Sequence, residues 1–173
     1  MAKAARRRVA LDLGLSLLDA WDTNERINQY LLGALDAKLW RAAPPGSGSK
    51  GRTIAAIVSH IHNVRHMALV VSGKGLPIRV PAKLDRHDVT PVKARAALAA
   101  SAQAMRRLLE AALAAGGRVR DFAPGVVLFF TSAVSHEAHH RGQICLLARE
   151  AGAPLPFETT YGMWDWKKRF REI

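Results

Sequence analysis

The sequence predicts an all-α fold, a four-helix bundle, on three observations. Four long segments carry the apolar period of helices, loops marked by proline and glycine separate them, and no segment shows the alternation of a strand or an internal repeat. Apolar residues make up 49% of the 173, enough to fill one core. We therefore expect a single domain over residues 11–173, preceded by a flexible basic tail at 1–10.

The first segment runs from about Leu13 to Lys38, with Ile27, Leu31, Leu32 and Leu35 as its inner stripe, and ends before Pro44-Pro45 and the stretch GSGSKG. The second runs from about Thr53 to Val71 and stops at Gly73; the Thr53 hydroxyl can cap the free N–H groups of its first turn. The connection at 73–90 holds two prolines, so it reads as extended and long enough to be a crossover rather than a tight turn. The third helix starts at Thr90-Pro91, an N-cap followed by proline at the first helical position, and ends near Ala115 before Gly116-Gly117. The fourth runs from near Pro124 to about Ala151 and closes at Gly152. The remaining tail has no clear period but is rich in aromatics, and we expect Trp164 and Trp166 to pack it onto the bundle rather than to close a site.

No stretch approaches the roughly 18 to 20 continuous apolar residues of a membrane span. The N-terminus has the basic-then-apolar order of a signal peptide, but Asp12 breaks the run and no small-residue cleavage site follows, so a cytoplasmic protein is expected. Cys145 is the only cysteine, which rules out an intrachain disulfide and a multi-cysteine zinc site. With 26 Lys and Arg against 14 Asp and Glu the net charge is +12, which attracts phosphate-bearing partners. The basic residues are scattered, apart from Arg6, Arg7 and Arg8 and the group Lys167, Lys168, Arg169 and Arg171. No recognition-helix motif stands among them, so specific nucleic-acid binding is not expected.

Chemistry gathers at the histidines. Three of the seven lie in SHIHNVRH on the second helix, three in SHEAHHRGQ on the fourth, and His87 sits alone in a loop. On the second helix Ile54, Ile57, Ile61, Val64 and Ala68 define the buried stripe. His60 lies about 80° from its centre, His62 about 120° away on the other side and His66 about 160° away, so His60 points inward and the other two read as a solvated pair. On the fourth helix the stripe is Val126, Phe129, Phe130, Ala133, Ile144 and Leu147. His140 lies roughly 30° from its centre, His136 about 70° and His139 about 130°.

His136 and His140, four apart, share a face and can grip one metal. His139 faces out or assists the ligands from behind, and Gln143, one turn on, can hydrogen-bond to a ligand or to substrate. Cys145 lies roughly 170° around the helix from His136 and is excluded as a ligand or nucleophile. A lone histidine is usually a hydrogen-bonded structural residue. An inward pair four apart with a third inward histidine on another helix points instead to a metal at His60, His136 and His140. Three neutral imidazoles leave a coordination position open, the composition of a catalytic site, and suit zinc, nickel or iron.

His136 to His140 also reads H-E-x-x-H, the zinc-peptidase signature in which the glutamate is the general base. The supporting ligands are missing, since position 146 is Leu146, Glu150 stays on the same helix and Glu158 lies in the proline-bounded tail. Glu137 falls near the apolar stripe, where a carboxylate needs a partner. Arg65 and Arg141 are the candidates, and Glu137 reads as structural or as support for the ligands.

The segments TIAAIVSHIHNVRHMAL, SHEAHHRGQICLLAREAGAPLP and YGMWDW, with WDTNERINQYLLGAL in the first helix, resemble the DinB-like (DNA-damage-inducible, YfiT-like) superfamily over about residues 14–166. H-x-x-H-H-R-G-Q is the most specific part. The resemblance implies an up-down-down-up four-helix bundle, often homodimeric. It also implies a divalent metal held by His60 from the second helix and by His136 and His140 from the fourth. It leaves the reaction open between low-molecular-weight thiol S-transfer and metal-dependent hydrolysis of a small molecule, beside a non-enzymatic metal-binding or stress-response role. A transferase would use the metal to ionise a bound thiol, and a hydrolase to ionise water. DNA binding is not implied.

Overall fold

A computed structural model describes residues 11–48 and 51–172 of the chain. The basic tail expected at 1–10, with Arg6, Arg7 and Arg8, lies outside the described residues. Within them the chain is all-α: six α-helices, one 3-10 turn and no strand.

Helix α1 spans Leu13–Ala34, and the Asp12 carboxylate caps it by accepting from the Leu15 N–H at 2.9 Å. It ends four residues short of the sequence expectation. Asp36 accepts from the Lys38 N–H and starts a separate 3-10 turn at Ala37–Arg41, a local side-chain bond that competes with helix propagation. That turn buries Leu39 and Trp40, whose indole N–H donates to the Val89 carbonyl at 2.7 Å.

Helix α2 spans Ile54–Ser72 behind the expected Thr53 cap, and α3 spans Pro91–Ala114 behind Thr90. Helix α4 spans Val126–Glu150 and starts two residues after Pro124. Gly125 has φ 86° and ψ 178°, a backbone state that side-chain-bearing residues avoid. The tail forms two short helices that the sequence period did not show, α5 at Phe157–Gly162 and α6 at Trp166–Arg171. Trp164 is 79% exposed, so the expectation that it packs the tail fails. The tail docks instead through Arg169, buried with its guanidinium 4.0 Å from the centre of the Tyr30 ring on α1.

Helices α1 and α2 each pack against both α3 and α4. The core has two apolar clusters. One joins Leu31, Trp40, Ile54, Ile57, Ile61, Leu98, Ile144 and Leu147; the other joins Trp21, Leu69, Met105, Leu108, Leu109, Val126 and Phe129. The two are separated along α2 by Arg65 (between Ile61 and Leu69), and along α4 by Glu137 and Arg141 (between Phe129 and Ile144). The same level on α1 carries buried Asn24 and Asn28. A polar layer thus divides the interior, and the histidines stand beside it.

Helix α2 has the length and mean hydropathy, 1.3 over an 18-residue window, of a membrane-crossing helix. It buries Arg65 and His62 against protein, as a core helix does.

Candidate metal centre

The residue angles on α2 and α4 decide which imidazoles meet. His60 projects from α2 toward the α4 pair, and its Nε2 lies 3.1 Å from His136 Nε2; His140 Nε2 lies 3.0 Å from the same atom. The ring centroids of the three are 4.4 to 5.1 Å apart, and one ligand nitrogen from each falls within 4.8 Å of the others. Nitrogens bound at 2.0–2.1 Å to one divalent cation lie roughly 2.9 Å apart at right angles and roughly 3.3 Å apart at the tetrahedral angle. The two separations to His136 Nε2 fall between these values.

Proton bookkeeping favours a cation over hydrogen bonds. The Gln143 side-chain carbonyl accepts from His140 Nδ1 at 2.7 Å, which leaves a lone pair on His140 Nε2. The Gln143 amide donates to His139 Nε2 at 3.0 Å, so exposed His139 orients Gln143 and Gln143 orients His140. His136 Nε2 faces two other nitrogens and has at most one proton to offer them.

All three imidazoles are shifted toward the neutral form. Burial lowers the His60 pKa to about 4, helped by the Arg52 guanidinium and then by the other two rings. Burial also lowers His136, with His140 adding to the effect, and it lowers His140 against the raising influence of Gln143; Arg52 contributes at both. Neutral imidazole is the metal-binding form. The donor set therefore fits a divalent cation: three nitrogens, and no fourth protein ligand in the cluster among the described residues.

Glu137 is turned away from this cluster. It is 1% exposed, and both its oxygens are engaged. Arg65 Nε donates to Oε1 at 2.6 Å and Arg65 Nη2 to Oε2 at 2.8 Å, while Asn24 and Asn28 donate to Oε2 at 2.6 and 2.8 Å. Burial alone would raise the Glu137 pKa, but the Arg65 charge and these hydrogen bonds outweigh it and hold it low. Burial likewise opposes the charge on Arg65, yet Glu137 and Glu25 raise its pKa. Arg65 Nη2 also donates to Glu25 at 2.8 Å and Nη1 to the Leu98 carbonyl at 2.9 Å. Arg141 does not reach Glu137; it donates to the Asn24 and Asn28 carbonyls at 2.9 and 2.7 Å, fixing the amides that serve the carboxylate. The layer ties α1, α2, α3 and α4 together next to His136, and it commits both Glu137 oxygens to Arg65, Asn24 and Asn28.

His62 departs from the sequence expectation. It is fully buried rather than solvated, with Nε2 2.8 Å from the Ala82 carbonyl and Nδ1 3.0 Å from the backbone oxygen of Ala97 and 3.2 Å from the Ser101 hydroxyl. His66 is half-buried, its Nδ1 donating to the Pro81 carbonyl at 2.7 Å. The 73–90 segment, which turns at 73–77 and again at 86–88, lies along this face of α2 and supplies the Ala82 and Pro81 carbonyls. Cys145 and Trp166 line a separate apolar cavity of about 360 Å3, away from the three histidines.

Sequence reasoning missed Asn24, Glu25 and Asn28. Their signal was present as polar residues spaced on the same α1 face as Trp21, Ile27 and Leu31. It also missed Arg52, Ser59 and Arg86, which line a cleft of about 300 Å3 against His60. These three come from separate stretches of chain and share no local pattern.

The model of the DinB family matches residues 8–169. No curated protein and no solved structure shows a significant match to the chain.

Proposed function

The chain belongs to the DinB family, and on that premise we propose that it is a metal-dependent enzyme holding one divalent cation at His60, His136 and His140. The observation that carries the reading is the meeting of three Nε2 atoms with Gln143 fixing the protonation of one of them. The helices are read as a four-helix bundle of up-down-down-up order, supported by the long 73–90 crossover and by the packing of α1 and α2 on both later helices. Zinc, nickel and iron are the candidates, since imidazole suits all three.

A bound cation would lower the pKa of a thiol or water placed on it, which serves thiol S-transfer or hydrolysis of a small molecule. The chain's own residues have narrower tasks. The three neutral imidazoles bind, Gln143 keeps the His140 proton on Nδ1, and the Arg65–Glu137 layer holds α4 against α2 so that the pair stays opposite His60. Peptide hydrolysis of the H-E-x-x-H kind is disfavoured, because its general base would be Glu137, and that buried carboxylate is ion-paired with Arg65 and hydrogen-bonded to Asn24 and Asn28. The reading is of a small-molecule enzyme of the cytoplasm, without a membrane or a specific nucleic acid as partner.

A cobalt-loaded sample tests it. Adding a small thiol should produce a sulfur-to-cobalt charge-transfer band, with single-site saturation, that is absent in His60→Ala. Metal uptake with no spectral response to thiol, and no effect of pH on the cobalt spectrum that would report bound water, would favour a closed, non-catalytic metal site.

A further inference from the structure

Two arginines face the candidate centre without a carboxylate to answer them. The cleft of about 300 Å3 against His60 is lined by Arg52, Ser59, Asn63, Arg86 and His87. It adjoins a groove of about 800 Å3 that shares Arg52, Arg86 and His87 and adds Arg41. Among the described residues, neither Arg52 nor Arg86 makes an ion pair, and Arg52 donates no hydrogen bond. Arg86 gives only its Nε–H, to His87 at 3.0 Å. Asp85 is the one acid on the wall, and its Oδ1 accepts from the His87 backbone N–H at 2.8 Å.

The wall carrying Arg86 is built rather than loose. Asn63 on α2 donates to the Leu84 carbonyl at 3.0 Å and accepts from the Leu84 N–H at 2.9 Å, and Arg41 donates to the Arg86 carbonyl at 2.8 Å. Opposite, Ser59 Oγ is buried with no hydrogen-bond partner among the described residues, although its residue lines the cleft. A buried hydroxyl without a partner is unusual and costs free energy until something satisfies it. Arg52 stands just before the first turn of the 19-residue α2, whose dipole adds positive potential at that end. The closeness of like charges is felt: burial and then Arg86 lower the Arg52 pKa. An anion would relieve that repulsion, and guanidinium pairs suit planar or tetrahedral oxyanions.

We propose that this arginine-lined cleft is the anion subsite of the substrate, taking a carboxylate or phosphate group while another part of the same small molecule reaches the three histidines. The anion subsite stands apart from the metal reading, and only the reach to the three histidines rests on it. The substrate class is thereby an anionic small molecule with a soft or ionisable donor, such as a carboxylate-bearing thiol, rather than a neutral one. Arg52 and Arg86 would donate their terminal N–H groups to the bound anion.

Titration calorimetry at low salt tests the cleft on the metal-free protein with succinate and with inorganic phosphate. At least one should bind, at least tenfold more weakly to Arg52→Gln and to Arg86→Gln, and not measurably to the double variant. Arg118→Gln, an exposed arginine elsewhere, should change nothing. The tighter of the two probes identifies the group. On the cobalt-loaded protein, mercaptosuccinate should bind at least tenfold tighter than 2-mercaptoethanol, with the gap closing in the double variant. Equal binding of succinate and phosphate to the native protein and the double variant would overturn the proposal. A protein that binds the anions as expected but takes up no cobalt would keep the subsite and remove the metal reading.

Discussion

Replacing Glu137 by glutamine should cost the fold about 3 to 5 kcal/mol, the range for removing one partner of a buried ion pair. The structure fixes where in that range the loss falls. Glu137 accepts two bonds from Arg65 and one each from Asn24 and Asn28, and the replacement amide must turn its NH2 toward one set of donors. Arg65, 2% exposed, keeps Glu25 as a counter-ion, and this residual partner places the loss near the lower end, about 3 kcal/mol. For a domain of this size that is a fall in Tm on the order of 10 °C. Urea unfolding of the metal-free protein followed by circular dichroism at pH 7 measures it. The pair should also couple: Arg65→Met with Glu137→Gln should lose less than the sum of the two single losses. A Glu137→Gln loss below about 1 kcal/mol, or strict additivity, would refute the reasoning that this layer is a charge-compensated tie.

Gln143→Leu should leave helicity unchanged and weaken metal affinity by about 10- to 100-fold, the effect expected for losing the partner that orients a ligating histidine; chelator competition measures it, and unchanged affinity would count against the tautomer argument. The metal-free protein should lose stability as pH falls from about 7 toward 4. The folded-state pKa values of His60, His62, His136 and His140 all lie below the ordinary value near 6.5, so the unfolded chain binds more protons in that window. Above it the histidine contribution is fully present, and the Glu137 contribution fades only below its ordinary value near 4.5. Thermal melts at pH 7.5, 6 and 5 should show a falling Tm; a Tm that is flat or rises on acidification would contradict the burial of neutral rings.

Much of this was legible in the sequence where a local rule governs. Thr53 and Thr90-Pro91 mark the starts of α2 and α3 because a cap acts within three residues. The convergence of His60, His136 and His140 was legible because angular position on a helix follows from arithmetic, and the need of Glu137 for a cation was legible from its place near an apolar stripe. The failures share a cause. His62 was misjudged because the arithmetic knows only the helix core, and the 73–90 segment covers the other face with the Ala82 and Pro81 carbonyls. The end of α1 was misjudged because Asp36 offers a competing bond to the Lys38 N–H. Arg52 and Arg86 meet only through the path of two connections, which no periodicity encodes.

The central question is whether three histidines hold one cation. Elemental mass spectrometry on untagged protein, beside His60→Ala, His136→Ala and His140→Ala, decides it. The geometry predicts about one equivalent of a divalent metal, lost in each variant while circular dichroism shows the helices intact. A native protein that carries no metal even after reloading with zinc, nickel or iron would contradict it, and would make the three imidazoles a structural cluster.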